Sequence, residues 1–111
     1  MSAIAYEFYL RGNQIAAGNS FDPRKMSLAR DLYLRSVEED PKYAPAWACL
    51  GRAYRLIGKY GGDPAENIRL AEGAFRQAFT LHPDLAMAHN YYAALETETR
   101  RSVDALSLIH I

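Results

Sequence analysis

The chain has 111 residues, half of them hydrophobic and 23% charged, which is the composition of one small folded domain and not of a disordered chain. Thirteen basic and thirteen acidic side chains cancel, and this removes the usual electrostatic argument for nucleic acid or an anionic membrane as a partner. The single cysteine, Cys49, excludes an internal disulfide and fits a reducing compartment.

No apolar run approaches the roughly 20 residues that span a bilayer. Residues 1–7 also lack the basic start and apolar stretch of a signal peptide. We therefore expect a cytoplasmic protein that has no membrane partner.

Hydrophobic periodicity and helix-breaking residues predict five full helices and a partial sixth. The first runs from about Ala3 to Ala17, where Gly18 is placed to end it. Asp22-Pro23 reads as an N-cap followed by proline at the first helical position, so it opens the second helix. That helix must end before Pro41, because the residue before a proline avoids the helical region.

The third helix opens at Ala44-Pro45, and Gly58 is its expected end. The fourth opens at Asp63, where a cap, a proline and Glu66 three residues on form the pattern of a capping box, and it stops at Pro83.

A fifth helix runs from Leu85 to about Glu98, and a sixth begins near Arg101 or Ser102. The short connections predict an all-α fold of antiparallel helix hairpins.

Two stretches of the chain repeat each other at an offset of 42 residues. Such a repeat of helical pairs predicts an array in which each hairpin packs on the next, and arrays of this kind present surfaces to partners and rarely hold active sites. The matched pairs are Ala29 and Ala71, Tyr33 and Phe75, Ser36 and Ala78, and Pro41 and Pro83.

The central stretch resembles the tetratricopeptide repeat, whose signature reads W-x2-L-G-x2-Y, then A-x3-F, then a closing proline. The matching residues are Trp47, Leu50, Gly51, Tyr54, Ala71, Phe75, Ala78 and Pro83. The unit here is longer than the family's usual ~34 residues, and the excess lies at 60–67, in and beside the turn. The resemblance implies a short right-handed solenoid, with repeat one at about 5–41, repeat two at 44–83 and part of a third at 86–105.

In this family the first helix of each hairpin lines a concave groove that holds a peptide. Tyrosine and arginine are the residue types that anchor interfaces, asparagine can hydrogen-bond a peptide backbone, and arginine can pair with an acidic side chain or terminus. The alternative is that these residues only coat a solvated inner face. The residues that the resemblance places on this face are Tyr6, Tyr9, Asn13, Arg52, Arg55, Met87 and Asn90.

No motif in the chain points to catalysis, a metal or a cofactor. The three histidines, His82, His89 and His110, have no carboxylate or cysteine at the spacing of a ligand set. Cys49 reads as a small packing residue, since no basic group or helix N-terminus is placed to activate it. We therefore predict that the chain is not an enzyme.

Residues 5–12 and 39–47 are also similar to the repeat regions attached to bacterial kinases, nucleotide cyclases and winged-helix regulators. Residues 106–111 resemble a translated sequencing-library adapter, and we interpret them as a non-native tail on a fragment of a larger bacterial protein. The alternative for the tail is a short apolar terminus that docks on the last hairpin.

The prediction for function is an interaction module that binds a peptide or partner protein in the concave groove, where Arg52 and Arg55 select acid and Tyr9 gives apolar contact. The alternative is the regulatory arm of a signalling enzyme or transcription regulator. A further expectation is self-association through the unfinished last hairpin, based on apolar faces at Tyr91, Leu95 and Val103.

Overall fold

The computed structural model describes residues 2–18 and 21–109, with the side chains described for 2–18 and 21–100. Within this part of the chain the secondary structure is helical, with no strand. No helix there combines the length and the apolar character that crossing a membrane requires. The helices are α1 (Ala3–Ala16), α2 (Pro23–Glu39), α3 (Ala44–Tyr60), α4 (Pro64–Leu81) and α5 (Ala86–Ile109).

The helix starts follow the capping residues that the sequence offers. An Asp22 carboxylate oxygen accepts a hydrogen bond from the backbone N–H of Arg24 at 2.9 Å, and Pro23 is the first residue of α2. At α4, Asp63 accepts from the backbone N–H of Glu66 at 3.3 Å, while the Glu66 carboxylate pairs with Arg69 at 2.6 Å. Both predicted N-caps are confirmed, because each satisfies a backbone donor that the first helical turn leaves free.

The predicted end of the third helix at Gly58 is wrong, since α3 continues to Tyr60. Gly58 lies against α4, where a Cβ would come within 2.8 Å of the Asn67 Cβ, so this glycine serves close packing of the hairpin. The turn is made by Gly61 and Gly62, whose N–H groups both donate to the Ile57 carbonyl, at 3.1 and 2.7 Å.

The sixth helix predicted near Arg101 or Ser102 is also wrong, because α5 runs without a break to Ile109. Its 24 residues contain neither proline nor glycine, so no residue in the sequence ends the helix at Glu98. Of the tail interpreted as non-native, 106–109 belong to this helix, while the two final residues lie outside the described part of the chain.

The repeat predicted from the 42-residue offset is visible in the packing of the two hairpins. A Cβ on Gly12 of α1 would lie 2.6 Å from the Tyr33 ring of α2, and one on Gly51 of α3 would lie 2.7 Å from the Phe75 ring of α4. Each hairpin therefore crosses where a glycine faces the aromatic ring of its second helix. The right-handed sense of the solenoid stays a prediction.

Helix α3 lies at the centre of the fold and contacts α2, α4 and α5. The core around it holds Leu50 and Phe75, which are 1% and 0% exposed. A smaller cluster of three fully buried alanines, Ala48, Ala78 and Ala88, joins α3, α4 and α5. The small side chains let these three helices approach closely, and this fixes α5 beside α3.

Candidate peptide-binding groove

Two adjoining cavities lie along α3, between the end of α1 and the side of α5. The first has a volume of about 370 Å³ and is lined by Asn13, Ala16, Ala17, Gly18, Tyr33, Cys49, Arg52 and Tyr91. The second, of about 270 Å³, shares residues 16–18 and Arg52 and extends to Phe21, Leu56 and Tyr60. We call the surface of both cavities the groove, and Arg52 is the charged residue common to its two halves.

The floor of the groove is a hydrogen-bonded group centred on Asn13. The Tyr33 hydroxyl donates to Asn13 Oδ1 at 2.7 Å, and the Cys49 thiol lies 3.7 Å from the same oxygen. Asn13 thus connects α1 with α2 and α3, and a peptide backbone that used this amide would compete with contacts made inside the protein.

Burial keeps the floor groups in their protonated forms. Desolvation raises the pKa of Tyr9 to about 12 and that of Cys49 to about 11, and it raises the pKa of Tyr33 as well. The positive charge of Arg52 acts in the opposite direction on Tyr33, Cys49 and Tyr91. At neutral pH the floor is therefore polar but uncharged, and the Cys49 thiol is unreactive.

Lys25 and Asp22 line the second cavity, and Arg52 is the cationic residue that borders both cavities. Its guanidinium carbon lies 5.6 Å from the centre of the Tyr91 ring on α5, and the side chain is half-buried. Among the described residues no hydrogen bond or ion pair to this guanidinium is present. Its charge is thus oriented by a cation–π contact without being neutralised by an acidic group of the described chain.

Arg55, one turn further along α3, is engaged by α5. Its Nη1 lies 2.7 Å from Glu98 Oε1, and Lys59 Nζ lies 3.1 Å from the same oxygen. The side chain of Arg55 is only 13% exposed. Arg55 therefore lies beside Arg52 on α3, as the sequence predicts, but its guanidinium is already paired with the Glu98 carboxylate.

The predicted tyrosines lie at the N-terminal end of the same side. Tyr6 and Tyr9 stack with ring centres 6.2 Å apart, and Tyr43 meets both edge-on, at 6.3 and 5.2 Å. Tyr6 is 40% exposed and Tyr9 is half-buried. These three rings form an apolar surface with polar tips, which we call the tyrosine cluster.

The two predicted residues on α5 do not join this group. Met87 is half-buried and packs against the core, while Asn90 is exposed on the helix surface. Leu95, expected to form an exposed apolar face, is 2% exposed and belongs to the core. Tyr91 lines the groove, and the side chain of Val103 lies outside the described residues, so the observations behind self-association are weakened.

Sequence reasoning missed several residues of this surface. The aromatic repeat position of Tyr33 indicates a core residue, and its ring is buried, but its hydroxyl binds Asn13 and the residue lines the groove. The feature of the sequence that could have indicated this role is the tyrosine hydroxyl itself, since repeat two has Phe75 at the matching position. The part that four further residues play in this surface was also missed, because it depends on contacts between helices. These residues are Cys49, Tyr91, Lys59 and Glu98.

A larger cavity, of about 440 Å³, lies between α4 and α5, but its aromatic residues are committed to one another. Phe75 and Phe79 each meet Tyr92 edge-on with ring centres 5.6 Å apart, and Phe75 is fully buried. We therefore regard this cavity as a hollow in the helix packing. Within the described part of the chain, no group of three or more metal-ligating side chains is present.

Comparison with known families agrees with this architecture. Residues 32–62 match the model of the tetratricopeptide repeat family, a stretch that covers the end of α2, all of α3 and the signature residues Trp47, Gly51 and Tyr54. Neither the curated proteins nor the solved structures gave a match. The family match, which covers 31 of the 111 residues, and the five described helices support a protein of the tetratricopeptide-repeat type, and the match supports a general protein–protein interaction module.

Proposed function

We propose that the chain binds a segment of a partner protein in the groove, with an acidic side chain of that segment paired to Arg52. The observation that carries this proposal is the half-buried guanidinium of Arg52, held over Tyr91 without an acidic partner among the described residues. A charge that is partly withdrawn from water gains more from an incoming carboxylate than a fully solvated one does. Arginine also offers two parallel donors, which fix the direction of the carboxylate.

The tyrosine cluster supplies the second contact of the proposed site. Tyr6 and Tyr9 present ring surface to solvent beside the groove, and Tyr43 supports both rings from one side. Rings held in place by neighbours lose little freedom on binding, so they can accept an apolar or aromatic side chain at low entropic cost. The preferred segment therefore carries an acidic residue close to an apolar one.

We further propose that this chain is a non-catalytic, cytoplasmic part of a larger bacterial protein, for which the similarity of residues 5–12 and 39–47 to signalling-associated repeats is the support. Long-read sequencing of the source DNA across both ends tests this. A reading frame that continues past Ala105 without 106–111 supports the proposal, and a stop codon directly after Ile111 contradicts it.

Binding is tested by fluorescence polarisation with a labelled peptide that carries glutamates on both sides of one phenylalanine. Arg52→Gln is expected to weaken binding about tenfold, the size typical of one lost charge-assisted hydrogen bond. Arg76→Gln is the matched control, because Arg76 is exposed on α4, away from the groove. Equal affinities of the two variants would contradict the proposed site.

A further inference from the structure

The carboxylate of Glu98, on α5, lies against the groove side of α3, where two basic side chains bind it. Its Oε1 receives Arg55 Nη1 at 2.7 Å and Lys59 Nζ at 3.1 Å, two cations from α3 meeting one oxygen from α5. The hydrogen bond with Glu98 also raises the pKa of Lys59. The chain thus contains an internal acidic ligand bound to a pair of basic side chains.

Glu98 does not use the full donor capacity of this pair. It contacts Arg55 through Nη1, while Arg55 Nε is buried and has no hydrogen-bond partner among the described atoms. The Nε edge is one that a carboxylate can use when it binds a guanidinium through two parallel bonds. Arg55 and Lys59 also carry two positive charges against the one negative charge of Glu98, so a second carboxylate is still attracted.

Arg55 and Lys59 extend the row of basic side chains on α3 that begins in the groove at Arg52. Arg52, Arg55 and Lys59 follow one another at steps of three and four residues, so they share one face of α3 over roughly 10 Å of helix length. Helix α5 faces them in the same order, with Tyr91 near Arg52 and Glu98 at the pair. Alternate side chains of an extended peptide lie ~7 Å apart, which falls within this span.

A cavity of about 260 Å³ adjoins the pair and gives room for a side chain from outside. Leu95 and Ile68 form its apolar part, and Lys59 and Glu98, which are 44% and 30% exposed, lie at its edge. The Glu98 side chain is thus partly exposed at the cavity edge, while Leu95 and Ala88 make buried contacts of α5 with the core.

We propose that Arg55 and Lys59 form a second acid-binding position of the groove, which Glu98 occupies until an acidic side chain of a partner segment displaces it. This rests on the proposed function and narrows it, since the favoured partner segment carries at least two acidic residues, one for Arg52 and one for the pair. Glu98 then acts as an intramolecular competitor that rejects segments with a single acidic residue.

The test is fluorescence polarisation with labelled hexaglutamate, with labelled hexaglutamine as the uncharged control peptide. Glu98→Gln is expected to bind hexaglutamate about threefold to tenfold more tightly than the unchanged chain, because the competitor keeps its shape but loses its charge. Glu96→Gln is the matched control on the same helix. Glu96 is more exposed and, among the described residues, pairs with Arg100 alone, at 3.8 Å, so its substitution reports the general effect of removing one negative charge.

Adding Lys59→Gln to the Glu98→Gln variant is expected to abolish the gain. Equal gains in the Glu96 and Glu98 variants, no gain in Glu98→Gln, or a gain that survives loss of Lys59 would each overturn the inference. Should Glu98→Gln fail to fold, Glu98→Asp, whose shorter side chain reaches the pair less well, must show the gain instead. Failure of Arg52→Gln to weaken binding contradicts the proposed function alone, because the gain through Lys59 is measured separately.

Discussion

Replacing Gly51 with alanine tests the close helix crossing on which the fold depends. A Cβ at this position would lie 2.7 to 2.9 Å from three atoms of the Phe75 ring. Phe75 is 0% exposed and meets Tyr92 edge-on at 5.6 Å, so a shift of the ring away from Gly51 would disturb this contact. Overpacking of this kind costs about 1–3 kcal/mol, whereas the better helix propensity of alanine returns about 1 kcal/mol.

We therefore expect Gly51→Ala to lower the free energy of unfolding by up to about 2 kcal/mol, measured by urea denaturation. Gly73→Ala is the matched control, because Gly73 lies inside α4 with nothing within 4 Å of its Cβ position. That variant is expected to raise the free energy of unfolding by about 0.5–1 kcal/mol, so the two substitutions differ in sign.

Combining Phe75→Leu with Gly51→Ala tests whether a steric clash at the crossing causes the loss of stability. The smaller side chain relieves the contact, so the double variant must be more stable than the sum of the two single effects predicts. A clash at the crossing is refuted if Gly51→Ala is as stable as Gly73→Ala. It is also refuted if the effects of Gly51→Ala and Phe75→Leu on the free energy of unfolding are additive.

Two further predictions concern the floor of the groove. Tyr33→Phe removes the hydroxyl that donates to Asn13 at 2.7 Å, so the free energy of unfolding should fall by about 1 kcal/mol, and an unchanged value in urea denaturation would contradict the bond. Cys49 titrates at a pKa of about 11 in the folded chain against an ordinary value of 9.0, so its contribution is fully present below pH 9 and is lost between pH 9 and 11. Cys49→Ala should flatten this part of the curve of unfolding free energy against pH, leaving the later decline from Tyr9, and an unchanged slope would contradict the burial of the thiol.

The parts of the fold that the sequence predicts well are those set by local chemistry. Asp22 and Asp63 begin helices because each carboxylate accepts from a free backbone N–H of the first turn, with a proline at the first helical position. Gly51 and Phe75 both occupy positions of the repeat signature, and the structure places them together where the two helices cross. Gly58 shows the limit, since a glycine required for close packing looks the same in a sequence as one that ends a helix.

The groove could be predicted only in part, because its decisive contacts join distant parts of the chain. The periodicity of α3 places Arg52 and Arg55 on one face, but it cannot show that Glu98, 43 residues further on, binds one of them and leaves the other. In the same way, the pattern assigns the Tyr33 ring to the core without indicating that its hydroxyl reaches Asn13 on α1.

The central claim, that the groove receives an acidic segment of a partner, is tested most directly by nuclear magnetic resonance. Hexaglutamate without a fluorescent label is titrated into the isotope-labelled chain, and the backbone and arginine side-chain signals of the chain are recorded. Concentration-dependent shifts are expected at Arg52, Tyr91 and Tyr33, with the Arg52 guanidinium signal moving most. Shifts confined to Arg76 and Phe79 on the α4 side, with the Arg52 signals unmoved, would contradict the claim.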